Sequence, residues 1–282
     1  MRSIVALLSD FGTRDHYAGT MKAVVLSVCP DATLIDIGHE IPPHDVLGAA
    51  LELAACYRFF PSGTVFLVVV DPGVGSSRRG LVAEAGDYRF VAPDNGVLTG
   101  VFRETPPKRV VELSERKFAR ATVSRTFEGR DRFAPAAGWL AKGTDLSSFG
   151  RAITDYQKLQ IPEPRVDEGS VSGEVLRIDR FGNLISNIDL RTFERFAHAG
   201  PTAVSAGAHE VVRTVATYAE APAGTLCALF GSTDHLEIAV NGGNAAEMLG
   251  VARGAAVTVA RAQASGPGAQ APVTGDRKLP GH

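Results

Sequence analysis

Cysteine is scarce in this chain of 282 residues: Cys29, Cys56 and Cys227 stand far apart, each among apolar neighbours. That spacing builds neither a disulfide framework nor a zinc site, so reduced core thiols and a cytoplasmic location are expected. Long apolar runs are missing too. Near the N-terminus only "IVALL" lies between Arg2 and Asp10, too short for a signal-peptide core or a bilayer span, so neither export nor membrane association is expected. Charge of one sign is also lacking. The 29 basic and 31 acidic residues are interspersed and leave a formal net charge of −2. No broad field therefore exists to hold nucleic acid or an anionic membrane, and the expected ligand is small.

Familiar chemical signatures are missing as well. The glycines form neither a dinucleotide fingerprint nor a phosphate-binding loop, and there is no nucleophilic-serine elbow or cysteine-histidine signature. His39 and His44 lie five apart around Pro42-Pro43, a spacing that suits no standard zinc pattern.

What the chain does have is a hydrophobic content of 45%, enough to bury the core of one large domain or two ordinary ones. Apolar runs alternate with helical patterns in the first half: "SIVALL", "HYAGTMKAVVLSV", "ATLIDI", "HDVLGAALELAACYRFF", "TVFLVVV". Strand, helix, strand, helix, strand predicts right-handed crossovers and an α/β domain over 1–165 with a mostly parallel sheet. "LVAEA" and "YRFVAP" predict a hairpin about Gly86-Asp87, and "DRFAPAAGWLAKG" a later helix. After the proline-bearing linker "QIPEPRVDEGS" the strands become short and closely spaced, predicting a smaller all-β barrel over 170–262. The Gly- and Pro-rich stretch 263–282 reads as a disordered tail.

Several stretches carry candidate chemistry. "FLVVVDPGVGSSRRG" runs a buried strand into Asp71 and then into Arg78 and Arg79. Ligands of open α/β sheets gather at such strand ends, which makes Asp71 a candidate for site chemistry. Asp10 stands at the end of the first strand, where one carboxylate can accept from both hydroxyls of a ribose. Asp15, just before the first helix, reads by itself as an N-cap. Asp94-Asn95-Gly96 is a turn signal, and "TFEGRDRF" a charged loop with Asp131 capping the next helix. Asp179, Phe181 and Asn183 alternate across a glycine in "LRIDRFGNLISNI". On a strand they would share one face and converge on a ligand; the competing reading is a surface turn.

Taken in order, "SDFGTRD", "VDPGVGSSRR", "APDNG", "TFEGRD", "IDRFGN" and "LEIAVNGGNAA" resemble the S-adenosylmethionine (SAM) hydroxide adenosyltransferases, adenosine-forming SAM hydrolases related to the fluorinases and chlorinases. The resemblance implies an α/β domain followed by a β-barrel, no cofactor because SAM is the substrate, and a homotrimer with inter-subunit active sites. It implies that Asp10 binds ribose, Asp15 and Asp179 contact the methionine portion, Phe181 and Asn183 bind adenine, Tyr218 stacks on it, and Ser232 lies near the methionine carboxylate. Asp71 and Arg78 match an aspartate and an arginine that orient and activate water in the hydroxide-using members. Halogenases carry tyrosine at the aspartate, so Asp71 argues against a halide nucleophile.

One position departs from that pattern. Hydroxide-using members carry histidine where this chain has Glu128. Glu128 is therefore expected as the third catalytic element, with three outcomes open: a base in its own right, a structural partner of Arg78 or Arg130, or the mark of a SAM-binding module with little or no catalysis. A reading that ignores the resemblance makes the acidic strand ends a divalent-metal phosphohydrolase, for which no His and Asp ligand cluster is legible.

Overall fold

The computed structural model describes residues 2–262; the expected tail at 263–282 lies outside the described residues. Two compact units divide after Ile161.

The N-terminal unit starts with β1 (Ile4–Ser9), α1 (Tyr17–Val28), β2 (Thr33–Gly38), α2 (Val46–Cys56) and β3 (Val65–Val69), in the order the apolar periodicity predicts. β4 (Gly80–Ala85) and β5 (Tyr88–Pro93) form the expected hairpin, with Gly86 in the left-handed region. α3 (Thr99–Glu104), β6 (Pro107–Glu112) and α4 (Ala134–Ala141) complete the unit. The six strands run β2-β1-β3-β5-β4-β6.

The sheet is mixed. The pairs β2–β1, β1–β3 and β3–β5 are parallel, whereas β4 pairs antiparallel with both β5 and β6. The expectation of a mostly parallel sheet is thus met on one side only, because a two-residue turn leaves β4 no room for a crossover. Successive residues of β1 and β3 face opposite layers. Val5, Leu7, Leu67 and Val69 meet Met21 and Val25 of α1 and Ala137 and Leu140 of α4. Ala6, Leu8, Phe66 and Val68 meet Ala49 and Leu53 of α2. Burial on both faces explains why these strands are continuous apolar runs, and it leaves the carboxyl ends of β1 and β3 as the place where polar groups emerge.

The C-terminal unit contains β7 (Arg165–Val166), β8 (Ser170–Ile178), β9 (Leu184–Asp189), α5 (Leu190–Ala197), β10 (Thr202–Ala206), β11 (His209–Val211), β12 (Leu226–Phe230), β13 (His235–Val240), α6 (Ala245–Leu249) and β14 (Ala256–Arg261). Its sheet runs β11-β10-β14-β8-β9-β13-β12 with antiparallel neighbours, and β7 pairs with β8. The segment after β11 bonds to the far edge, Ala228 donating to the Arg213 carbonyl and Val215 to that of Ala228 at 2.8 and 2.9 Å. The sheet is thereby nearly closed into a barrel, which shields its edges.

Two local features depart from an all-β expectation. α5 is an amphipathic helix that buries Phe193 and Phe196 against the barrel core. Its N-cap is Asp189, which accepts from the Thr192 amide at 2.9 Å. The apolar run after His209 is strand only to Val211, since Val212 points into solvent.

Candidate active site

A cleft of about 280 Å³ opens at the carboxyl ends of β1 and β3, lined among others by Asp10, Tyr17, His44, Asp71, Phe127 and Glu128. Three chain segments build it. The loop after β1 brings Asp10, whose Oδ2 accepts from the His44 amide at 2.9 Å and leaves the other oxygen for a ligand donor. β3 delivers Asp71. The segment 124–133 folds back over the same end of the sheet and delivers Phe127 and Glu128.

Gly75 makes that return possible. It has φ of +77°, and a Cβ there would lie 2.3 Å from the Arg125 carbonyl oxygen. Only glycine lets the two loops approach so closely. Phe11, Tyr17 and Phe127 then pack edge to face or tilted, with centroids 5.1 to 5.7 Å apart, as an aromatic wall of the cleft.

Four charged side chains form a row beside this wall. Arg78 Nη2 donates to both Asp71 Oδ2 and Glu128 Oε2, the second at 2.6 Å. Glu128 Oε1 accepts from Arg132 Nη1 at 3.1 Å, and Arg132 Nη2 donates to the Leu113 carbonyl at 2.7 Å. The Asp71 and Arg78 side chains are only 5% and 8% exposed, and the Arg78 guanidinium also lies over the Phe133 ring at 5.2 Å. Asp71 Oδ1 is buried without a hydrogen-bond partner. A buried acceptor left unpaired costs free energy, so a donor arriving in the cleft gains more there than at a satisfied oxygen.

Burial raises the Asp71 carboxyl above the ordinary aspartate range; Arg78 and, more weakly, the nearby Gly73 amide oppose the shift, and the charge on Glu128 adds to it. A carboxylate in that condition is a stronger proton acceptor than one in water.

The neighbouring ions have other partners. Arg79, beside Arg78 in sequence, pairs with Asp94 at 2.7 Å and Asp155 at 2.9 Å. Asp94 is buried and also accepts from the Gln157 amide at 2.7 Å, so the Asp-Asn-Gly turn is an anchor for that segment. Asp131 is fully buried and does not cap α4. It accepts from Arg130 Nε and Nη2 at 2.7 Å and from the Ser124 amide at 2.8 Å, closing the preceding loop. Against its burial, these contacts and Arg120 hold its carboxyl below the ordinary range. Arg130 is thus committed to Asp131, and Glu128 pairs with Arg78 and Arg132.

Gly129–Phe133 is a π-helical turn, in which the Ala134 amide reaches the Gly129 carbonyl five residues back. Such single turns inside helices often sit at functional sites. Asp15 does not cap α1 either. The helix starts one residue later, after His16, and Asp15 stands exposed outside it.

The remaining candidates belong to the C-terminal unit. Asp179, Phe181 and Asn183 sit in the tight turn between β8 and β9 and not on a strand, so the alternation that suggested a shared face does not apply. The Asp179 carboxylate is spent on the turn itself, accepting from the amides of Phe181 and Asn183 at 2.9 Å and from Asn183 Nδ2 at 3.0 Å. Phe181 is consequently pushed out, 74% exposed. Tyr218 is half-exposed and donates from its hydroxyl to Glu237 Oε2 at 2.7 Å. Burial raises the Glu237 carboxyl, and Asp179 acts in the same sense on both Glu237 and Tyr218, which places the turn beside that pair. Glu237 lies directly over Gly231, where a Cβ would come within 1.7 Å of its Oε1. Ser232 is exposed in the turn that leads into β13.

Sequence reasoning missed Tyr17, His44, Phe127, Arg132 and Glu237. The Glu128 to Arg132 spacing of four and the acid inside the apolar "LEIAV" were the available signals. Among the described residues, no three His, Cys, Asp or Glu side chains gather as a metal site.

Comparison with known proteins places this geometry. The N-terminal domain model of the SAM hydroxide adenosyltransferases matches residues 5–150, and the C-terminal domain model matches 173–258. An (R)-S-adenosyl-L-methionine hydrolase of Thermus thermophilus is 38% identical over 257 residues, covering 89% of this chain and 96% of that protein. A fluorinase of an Actinoplanes species is 32% identical over 219 residues, covering 68% of this chain and 74% of that protein. The crystal structure of an uncharacterised conserved protein from Thermotoga maritima superposes with a TM-score of 0.86 at 37% identity, covering 91% of this chain and all of that one.

Proposed function

The chain belongs to the SAM hydroxide adenosyltransferase family, and on that premise we propose that it hydrolyses S-adenosyl-L-methionine to adenosine and L-methionine. Water attacks the ribose C5′ in line with the C5′–S bond. As the O–C5′ bond forms, the C5′–S bond breaks and its electron pair returns to sulfur, so methionine leaves as a neutral thioether and needs no acid. The water proton passes to Asp71 and then to solvent. What the protein must supply is alignment, a dry pocket and an acceptor for that proton.

The buried, unpartnered Oδ1 of Asp71 carries this reading. It is an acceptor held in place through its other oxygen by Arg78, at the mouth of a strand that ends in the cleft. Arg78 steadies the hydroxide character that develops on the attacking oxygen. Asp10 grips the ribose hydroxyls with the oxygen that His44 leaves open, and Asp15 meets the methionine ammonium.

The C-terminal unit supplies the adenine side: the exposed Phe181 ring and Tyr218 as stacking surfaces and Asn183 for the purine edge, with Ser232 toward the methionine portion and Asp179, whose turn bonds leave lone pairs on its oxygens, beside it. The N-terminal cleft is at the small end of ligand pockets, which span roughly 300–1,000 Å³. That size supports a homotrimer in which the cleft of one copy is completed by the aromatic turn of another. No cofactor takes part, since SAM is the substrate, and three free thiols support a cytoplasmic location.

Incubating purified protein with SAM and separating the products tests the function. Adenosine and methionine in equal amounts, above spontaneous decay, are expected. SAM binding measured by calorimetry with no adenosine released, and adenosine from Glu128→His alone, would replace the proposal with a SAM-binding module.

A further inference from the structure

We infer that Arg132 is a positioning residue for this reaction: by pairing with Glu128 it completes a row of alternating charges, Asp71, Arg78, Glu128 and Arg132, that keeps Arg78 on one Asp71 oxygen and leaves the second free of any arginine. The inference rests on the hydrolytic reading above and assigns a role to the acid that stands at position 128.

A single guanidinium nitrogen, Arg78 Nη2, serves two carboxylates, Asp71 and Glu128. Two buried acids sharing one cation compete for it, and an uncompensated charge in such a place is costly. Arg132 removes the competition. It gives Glu128 a cation of its own at 3.1 Å, and its other arm is fixed on the Leu113 carbonyl at 2.7 Å. With both oxygens of Glu128 engaged by arginines, Glu128 is not the group that takes the proton; Asp71 Oδ1 is the acceptor with no partner of its own.

The position of Arg132 separates it from the reacting atoms. Glu128 forms the wall between two clefts, the one that contains Asp10 and Asp71 and a second of about 300 Å³ whose lining includes Ser114, Glu115, Arg116 and Arg132. Arg132 borders only the second, so it acts on the chemistry through Glu128. The other titratable groups facing Asp71 across the first cleft are Asp10 and His44 from the loops after β1 and β2 and Tyr17 of α1. None of them is altered in the variants below.

The test is the pH dependence of kcat for the parent, Arg132→Met, Glu128→Gln and the double variant, with KM measured alongside. The acid limb reports the ionisation of the proton acceptor in the enzyme-substrate complex. Arg132→Met is expected to move that limb up by about one pH unit, the effect of one charge across a part-buried cluster, with KM within about twofold. Glu128→Gln moves it down, Arg132→Lys restores part of the parent profile, and the double variant returns close to the parent because the charges again balance. A merely structural role predicts activity losses that add in the double variant and no shift of opposite sign. That result in an active parent overturns this inference alone. A parent that binds SAM but releases no adenosine overturns the hydrolytic reading, and the inference with it. Should Arg132→Met fold poorly by thermal melting, Arg132→Gln read against Arg132→Lys decides the matter: the upward shift is expected with glutamine and not with lysine.

Discussion

The candidate residues of the two units handle charge in opposite ways. At the mouth of the N-terminal cleft the ions are buried and paired with one another, yet one carboxylate oxygen remains unpaired. In the C-terminal unit the Asp179 carboxylate is consumed by its own turn, the Glu237 carboxylate accepts from Tyr218, and an apolar ring is left in water. Buried charge with one open valence suits a group that changes protonation during a reaction. A self-satisfied polar frame around an exposed ring suits shape recognition of a flat, neutral group. Under the proposed function, the chemistry falls to the first kind of environment and recognition of adenine to the second.

The largest effect should come from Asp71→Asn, which keeps the shape and removes the proton acceptor. We expect kcat to fall about 10²- to 10⁴-fold, the range typical of a general base, while SAM affinity by calorimetry is retained. A loss of binding in place of turnover would erase the division between the units. Phe181→Ala should do the reverse. Stacking on an aromatic side chain is worth about 1–3 kcal/mol per base, so KM should rise about tenfold with kcat nearly unchanged.

A smaller effect concerns stability against pH. Burial raises the Glu237 carboxyl, so its folded form holds a proton more firmly than the unfolded chain does. Stability from this group is present below the unfolded glutamate value and is lost as pH rises through the raised folded value. Thermal melts of Glu237→Gln should therefore be flatter than the parent across that window. The smallest expected change is Asp189→Ala, which removes the cap of α5 and costs about 1 kcal/mol. It should lower Tm by a few degrees and leave both kinetic constants alone.

The legible parts of this molecule were those governed by local pattern. β1 to β3 and the helices between them follow from apolar periodicity, and the hairpin from Gly86-Asp87. In the first sheet the pairing of β6 along the outer side of β4 was not legible, because strand composition does not say which neighbour an edge strand joins. α5 escaped notice because its eight residues are short and follow a strand directly, although Asp189 at its start and the Phe193 and Phe196 spacing carry the helical signal. In the site, Asp10, Asp71 and Arg78 stood out as charges where apolar strands end. The partnership of Glu128 and Arg132 did not, since its one mark in the sequence is a spacing of four, which on most helices belongs to a solvated face. Glu237 looked like one more strand residue until its burial over Gly231 appeared.

The π-helical turn at Gly129–Phe133 has a consequence for how this site could be lost. It contains one residue more than a regular helix would need, and removing one residue from a helix rotates what precedes it by about 100° about the axis. Excising a single codon there would leave α4 packed on the sheet and swing Glu128 away from Arg78. The row of charges about Arg78 would then be broken in one genetic step, with Asp71 and Arg78 left in place.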